Sequence, residues 1–240
     1  MVEDQWALVT GAGRGLGREV CRQLAAAGFT VVVGTRDATV GQGLVGELDG
    51  DGHVSVGLDV TDPASIAQAV AAVQDRAGRL DVLVNNAAAY VDWTETVSNA
   101  DLDASRRVLE TNLYGPWRMV QAFLPLLRRS AHPRVVNVAS GAGSHQDPAF
   151  GLATPGGTAA SYGISKAALI ALTSKLAAEL AGEPVIVNAV CPGLTATWPG
   201  AEQMGARPIA DGAAGIVWAA SLPDGGPRGG LFRDGSPLPW

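Results

Sequence analysis

Basic side chains, thiols and long apolar runs are all scarce in this chain, and each scarcity closes off a class of function. Its 240 residues hold two lysines, two cysteines and three histidines. The net charge is −6 and the arginines are scattered rather than clustered, so no basic face is available to track a phosphate backbone and nucleic acid is not an expected partner. Cys21 and Cys191 lie far apart in apolar surroundings, which suits two buried thiols in a reducing compartment better than a disulfide. No Cys/His cluster offers a ligand set, so no metal is expected. No uninterrupted apolar run approaches the ~18 to 20 residues of a membrane span. The first expected strand, from about Trp6, leaves no room for a leader peptide, and the expected setting is the cytoplasm. A Pro/Ser-rich or charged linker is also missing near the middle, so residues 1–240 are read as one domain.

What is present is regular alternation. Trp6 to Thr10 is a short apolar run leading into Gly11-Ala12-Gly13-Arg14-Gly15-Leu16-Gly17, and Val20 and Leu24 then recur at helical spacing as far as Ala27. Gly28 ends that helix, and Thr30 to Gly34, with three consecutive valines, has the composition of a strand buried on both faces. A third strand is expected to end at Asp59, and Asp62-Pro63 caps and opens a helix to about Arg76. Asp81 to Asn85 reads as strand, Leu102 to Arg128 as one long helical region and Arg134 to Ala139 as strand. The Tyr162 helix to about Ala181, a strand from Val185 to Val190 and a helix from Ile209 to Ala220 follow. The pattern predicts an α/β fold of the Rossmann type: a doubly wound parallel sheet of about seven strands, helices on both faces, and ligands at the strands' carboxyl ends.

The residues at those ends have chemical potential: Gly11 to Gly17, Arg36, Asp59, Asn85-Asn86, Ser140 and Pro192-Gly193. A glycine turn that opens a helix lets backbone N–H groups approach a pyrophosphate, although glycines after a strand are as readily plain turn residues. Tyr162 and Lys166 stand one helical turn apart on the same face. A phenol's ordinary pKa of about 10 is too high for proton exchange near neutrality, and a neighbouring ammonium is expected to bring it down. With three Tyr and two Lys in the chain, such a pair arises by chance about once in forty sequences of this composition. Plainer readings exist for its companions as well. Ser140 could cap a strand end, Asn112 could bond to its own helix, and Asn85-Asn86 could be an ordinary turn. Their joint occurrence in the right order favours the chemical reading.

Thr10 to Gly17, Asn85-Asn86-Ala87, Ser140, Tyr162-x-x-x-Lys166 and Pro192-Gly193 together resemble the short-chain dehydrogenase/reductase family over nearly the whole chain. Within it the likeness is greatest to carbonyl reductases, through Thr35-Arg36-Asp37, Gly41-Gln42, Val136 to Gly143 and the final Trp240. The resemblance implies NADPH as cofactor, NADH being less favoured, and a small-molecule carbonyl compound as substrate. It further implies that Tyr162 gives a proton to the substrate oxygen while the nicotinamide gives hydride to the carbonyl carbon. Ser140 bonds that oxygen, Lys166 holds the ribose hydroxyls, and Asn112 fixes a water leading to Lys166. Cofactor contacts are implied for Gly11, Arg14, Gly15, Leu16, Gly17, Arg36, Asp59, Val60, Asn86, Ala87, Pro192, Gly193, Thr195 and Thr197, besides Tyr162 and Lys166. Two positions depart from the pattern: Ala88 replaces a usual Gly, and Val40 stands where many carbonyl reductases carry a second Arg.

The loop between Ser140 and Tyr162 is expected to border the substrate. Thr197-Trp198-Pro199-Gly200 reaches the next helix within about a dozen residues, a short lid over an open site. Tyr90, Trp93, Phe150 and Trp198 are candidates for an apolar wall, with His145 and Ser140 as polar contacts, although packing is the plainer use of such aromatics. Two other functions remain beside the reductase. One is an NAD-dependent alcohol dehydrogenase, favoured if Asp37 rather than Arg36 meets the adenosine ribose; the other is a non-catalytic dinucleotide-binding protein. Monomer and homo-oligomer both stay open.

Overall fold

The computed structural model describes residues 5–240. Among the described residues eight strands form one sheet in the order β3-β2-β1-β4-β5-β6-β7-β8. They are β1 (Trp6–Thr10), β2 (Thr30–Thr35), β3 (Val54–Gly57), β4 (Val82–Asn85), β5 (Arg134–Val138), β6 (Ile186–Val190), β7 (Leu231–Arg233) and β8 (Ser236–Pro237). All neighbours pair in parallel except β7 and β8, which are antiparallel. The helices are α1 (Gly15–Ala26), α2 (Ala38–Val45), α3 (Pro63–Ala77), α4 (Leu102–Leu109), α5 (Gly115–Leu127), α6 (Ala160–Glu179) and α7 (Ile209–Ala220). Alternate strand residues serve opposite faces: Ala7, Val9, Val31 and Val33 pack with α1 and α7, whereas Leu8, Val32 and Leu83 pack with α3 and α5. The strand order reverses between β1 and β4, and the crevice there opens at their carboxyl ends. Among the described residues no helix is long and apolar enough to cross a membrane.

The structure departs from the sequence reading in three places. Helix α2 was not expected, because Gly41, Gly43 and Gly46 look like helix breakers. Asp37 starts it, its carboxylate accepting from the backbone N–H of Thr39 and Val40, and a Cβ on Gly41 would lie 2.7 Å from Thr35 Cγ2, so the helix lies close against β2 and β3 only with glycine there. The sheet has eight strands rather than about seven, since Asp234-Gly235 makes a tight hairpin with both residues at positive φ and returns the chain as β8. The long helical region is broken by a π-turn over Glu110–Tyr114. Pro116 has no N–H to offer the carbonyl of Asn112 four residues back, and the wider turn takes up the mismatch.

The cap at α3 is as expected: Asp62 accepts from the N–H of Ala64 at 2.9 Å with Pro63 at the first helical position. Asp62→Ala is expected to lower unfolding stability by about 1 kcal/mol, read from the urea midpoint at unchanged m-value.

Candidate functional site

At the end of β1 the Thr10 hydroxyl accepts from the N–H groups of Asn86 and Ala87, both at 3.0 Å, which ties the glycine turn to the end of β4. The Asn86 amide donates to Thr10 O and Gly11 O, so the turn's carbonyls are engaged from one side. A Cβ on Gly17 would sit 2.4 Å from that amide nitrogen and 2.5 Å from Gly11 O, so any side chain here would push the turn apart. The start of α1 has no side-chain cap and no acidic residue in its first turn. Its N–H groups and the positive end of the helix dipole are thus presented to the crevice, an arrangement fitted to a pyrophosphate. Thr197 closes over this turn, its side chain about van der Waals distance from a Cβ built on Gly15. Ala88 is accommodated without positive φ, so the missing glycine leaves the loop unstrained.

Arg36, Asp37 and Asp59 follow closely on the carboxyl ends of β2 and β3. Arg36 is exposed directly after β2. The Asp59 carboxyl is held below the usual carboxylate range by hydrogen bonds from the Thr61 hydroxyl and N–H, with Arg36 adding to the effect. Arg14 is exposed in the glycine turn; burial holds the Tyr90 phenol above its ordinary value, with the Arg14 charge acting the other way. Val60 packs where a side chain on Gly115 would otherwise lie.

The second cluster is built by β5, the π-turn and α6. Tyr162, Lys166 and Asn112 are all buried, and Tyr162 is hydrogen-bonded to the Ser140 hydroxyl. Lys166 Nζ donates to Val138 O at 2.8 Å and lies 5.6 Å from the centre of the Tyr162 ring. The Asn112 amide accepts from Ala89 N–H and donates to Ala89 O and to Ser165 Oγ, so it joins the β4–α4 loop to α6. The expected lowering of the phenol's pKa is reversed here. Burial pushes Tyr162 well above its ordinary value and the Tyr90 phenol adds to this, while the bond with Ser140 acts the other way. Burial also brings Lys166 down to about 8, so its charge is itself precarious in this enclosure.

Of the four expected wall aromatics, Tyr90 and Trp93 pack on Tyr162 and Trp198 packs on Trp93. The Tyr90 ring stacks on it with centres 5.2 Å apart, the Trp93 edge meets it at 5.5 Å, and Trp198 lies 6.4 Å from Trp93. Tyr90 and Trp93 are about half exposed and open toward solvent. Phe150 and His145 are exposed on the loop after β5 and take no part in these ring contacts. That loop is drawn elsewhere: the buried Asp147 accepts from the N–H of Ala149 and Phe150 and from Arg233 Nη2 at 2.6 Å, and Ser144 donates to Pro239 O. Pro192-Gly193 borders the site through Cys191, whose sulfur accepts from Gly141 N, Gly193 N and Arg233 Nη2. Thr195 is buried and donates to Pro192 O and Gly193 O. The sequence reading passed over Glu95 and Arg233 and placed Asp147 only in the loop expected to border the substrate, because isolated charges in segments without periodicity carry no signal of their eventual partners.

Residues 5–204 match the family model described as short chain dehydrogenase. The short-chain dehydrogenase/reductase 1 of Saponaria officinalis is 32% identical, over all of this chain and 97% of its own. A (+)-neomenthol dehydrogenase of Capsicum annuum is 31% identical over 95% of each chain. Among solved structures, the NADPH-bound carbonyl reductase from chicken fatty liver matches with a TM-score of 0.84 at 28% identity, covering 100% of both chains. Salutaridine reductase from Papaver somniferum matches at 0.79 and 27% identity, over 95% of this chain and 99% of its own.

Proposed function

Since the chain belongs to the short-chain dehydrogenase family and is an oxidoreductase of alcohol and carbonyl groups, we propose that it reduces an aldehyde or ketone with NADPH, its whole length forming one dinucleotide-binding domain in the cytoplasm. The observation that carries this reading is the buried Tyr162 and Lys166 pair, with the half-buried Ser140 against it, beside an uncapped helix start and a glycine turn with no room for a side chain. The turn from Gly11 to Gly17, Asn86, Ala87, Pro192, Gly193, Thr195 and Thr197 would hold the cofactor, with Arg36 and Asp59 at its adenosine end. When bound, the nicotinamide supplies hydride to the carbonyl carbon. Tyr162, kept protonated by burial, hands its proton to the carbonyl oxygen, and Ser140 holds that oxygen by a hydrogen bond. Lys166 holds the ribose side, and Asn112 fixes the β4–α4 loop against α6 next to it. The open aromatic surface of Tyr90, Trp93 and Trp198 receives the rest of the substrate. A homo-oligomer would form through the face where Leu102, Tyr114, Trp117 and Ile164 are exposed, which the mass in solution tests.

Loss of NADPH absorbance across a panel of ketones, aldehydes and quinones tests the assignment, and no turnover with any of them would reject it in favour of a non-catalytic nucleotide-binding protein. Trp198→Ala is expected to reorder relative rates across that panel more than it changes cofactor affinity, because a large apolar side chain contributes about 1.5 to 3 kcal/mol when covered by substrate. Constant relative rates would assign Trp198 to packing.

A further inference from the structure

Helix α6 begins in an unusual way. Its N-cap residue, Ala159, sits at φ 50°, a left-handed conformation that alanine rarely adopts, and has no side chain able to serve the first N–H groups. Those groups are served from a remote segment. Glu95, in the loop between β4 and α4, accepts from Ala160 N through its backbone carbonyl at 3.3 Å. Its carboxylate accepts from Ser161 N at 2.8 Å and from Ser161 Oγ at 3.0 Å. Glu95 is only 9% exposed. The Ser161 hydroxyl that donates to Glu95 also lies 2.6 Å from Ser105 Oγ on α4, and Ser105 in turn bonds Asp101 O at the start of that helix. Glu95 thereby heads a chain of contacts reaching from the loop through α6 to α4.

The same residue closes the turn that carries Trp93. Asp92 accepts from Thr94 N and Oγ1 through its side chain and from Glu95 N through its backbone, so Trp93, Thr94 and Glu95 form one rigid turn. One end of this turn places the Trp93 ring edge on Tyr162, and the other bonds the helix start one residue before Tyr162. We propose that Glu95 is a positioning residue for the reaction: by capping α6 from the substrate loop it fixes Tyr162 and the Trp93 wall relative to each other. The proposal rests on Tyr162 being the proton donor. A shift of about 1 Å in such a donor is worth up to a hundredfold in rate, and the loss of one cap bond is expected to allow part of it.

The decisive variant is Glu95→Gln, which keeps the volume but sets an amide N–H against donors. Its kcat is expected to fall about tenfold at unchanged KM for NADPH, with faster amide exchange at residues 92–96 and 160–162 together. Ala159→Gly relieves the positive φ without touching Glu95, so it separates folding from positioning. In the Glu95→Gln/Ala159→Gly protein the melting temperature should recover while kcat stays low. Recovery of kcat along with stability, kcat within about twofold of wild type in Glu95→Gln, or exchange confined to one of the two segments would overturn the proposal. Tyr162→Phe run in parallel keeps the two ideas apart: if that variant is active, the proton-donor reading fails, and the paired exchange still decides whether Glu95 couples loop and helix.

Discussion

Tyr162→Phe is expected to lower kcat for carbonyl reduction by about 10² to 10⁴ while leaving NADPH binding nearly unchanged. The substitution deletes one oxygen from a side chain that is 8% exposed, so packing against Tyr90 and Trp93 is kept and the only chemical loss is the proton and its bond with Ser140. Burial raises the phenol's pKa, and the sign of that shift favours one direction of reaction. A group that holds its proton more tightly is in the donating form throughout the neutral range, as reduction requires; oxidation of an alcohol requires phenolate and should gain as pH rises. Lys166 responds in the opposite sense, since burial lowers it to about 8 and its charge is lost as pH climbs past that value. The rate of reduction should therefore hold steady at lower pH and decline above about 8, while Lys166→Arg, with its fixed charge, should move that decline upward. Steady-state rates of Tyr162→Phe within about threefold of wild type would remove Tyr162 from the mechanism.

The fold and the grouping of Tyr162 with Lys166 were legible for a shared reason: both are written in local patterns. Three consecutive valines before Gly34, Asp62-Pro63 and the Tyr162/Lys166 spacing each specify their neighbourhood without reference to anything distant. Helix α2 was hidden because Gly41 lowers helix propensity but is required by the closeness of Thr35 and Ser55, a tertiary demand that propensity does not contain. The direction of the Tyr162 shift was hidden for a similar reason. The spacing announces a nearby ammonium and is silent about burial, which governs both groups in the enclosure that β5, α6 and the aromatic loop create. Phe150 was assigned to the wall by proximity in sequence, yet Asp147 takes its backbone N–H and pairs with Arg233, which fixes that stretch of the loop toward β7. The hairpin of β7 and β8 went unread, although Asp234-Gly235 is a turn pair with its own mechanism.

Arg36→Ala is expected to cost NADPH about tenfold to a hundredfold in affinity and to leave NADH almost untouched, because a charge-assisted bond to a 2′-phosphate contributes about 1.5 to 3 kcal/mol. Dinucleotide folds that prefer NAD place a carboxylate at the end of the second strand, where it accepts from the ribose hydroxyls and repels a phosphate. Here β2 ends at Thr35 and the next side chain is Arg36, exposed and free to lay its planar fork on phosphate or adenine. The acid comes one residue later, and Asp37 has another use: one of its oxygens accepts from both Thr39 N, at 2.9 Å, and Val40 N, at 3.3 Å, which fixes it as the cap of α2. Val40, where a second Arg would stand, packs against the glycine turn, its Cγ1 3.2 Å from a Cβ built on Gly13, and offers no charge. The proposed preference for NADPH turns on the Arg36 guanidinium, and kcat/KM measured with NADPH and NADH in wild type and Arg36→Ala reads it directly. A wild type that prefers NADH, or a ratio that the substitution leaves unchanged, would place the adenosine ribose against Asp37 and turn the reading toward NAD-dependent alcohol oxidation.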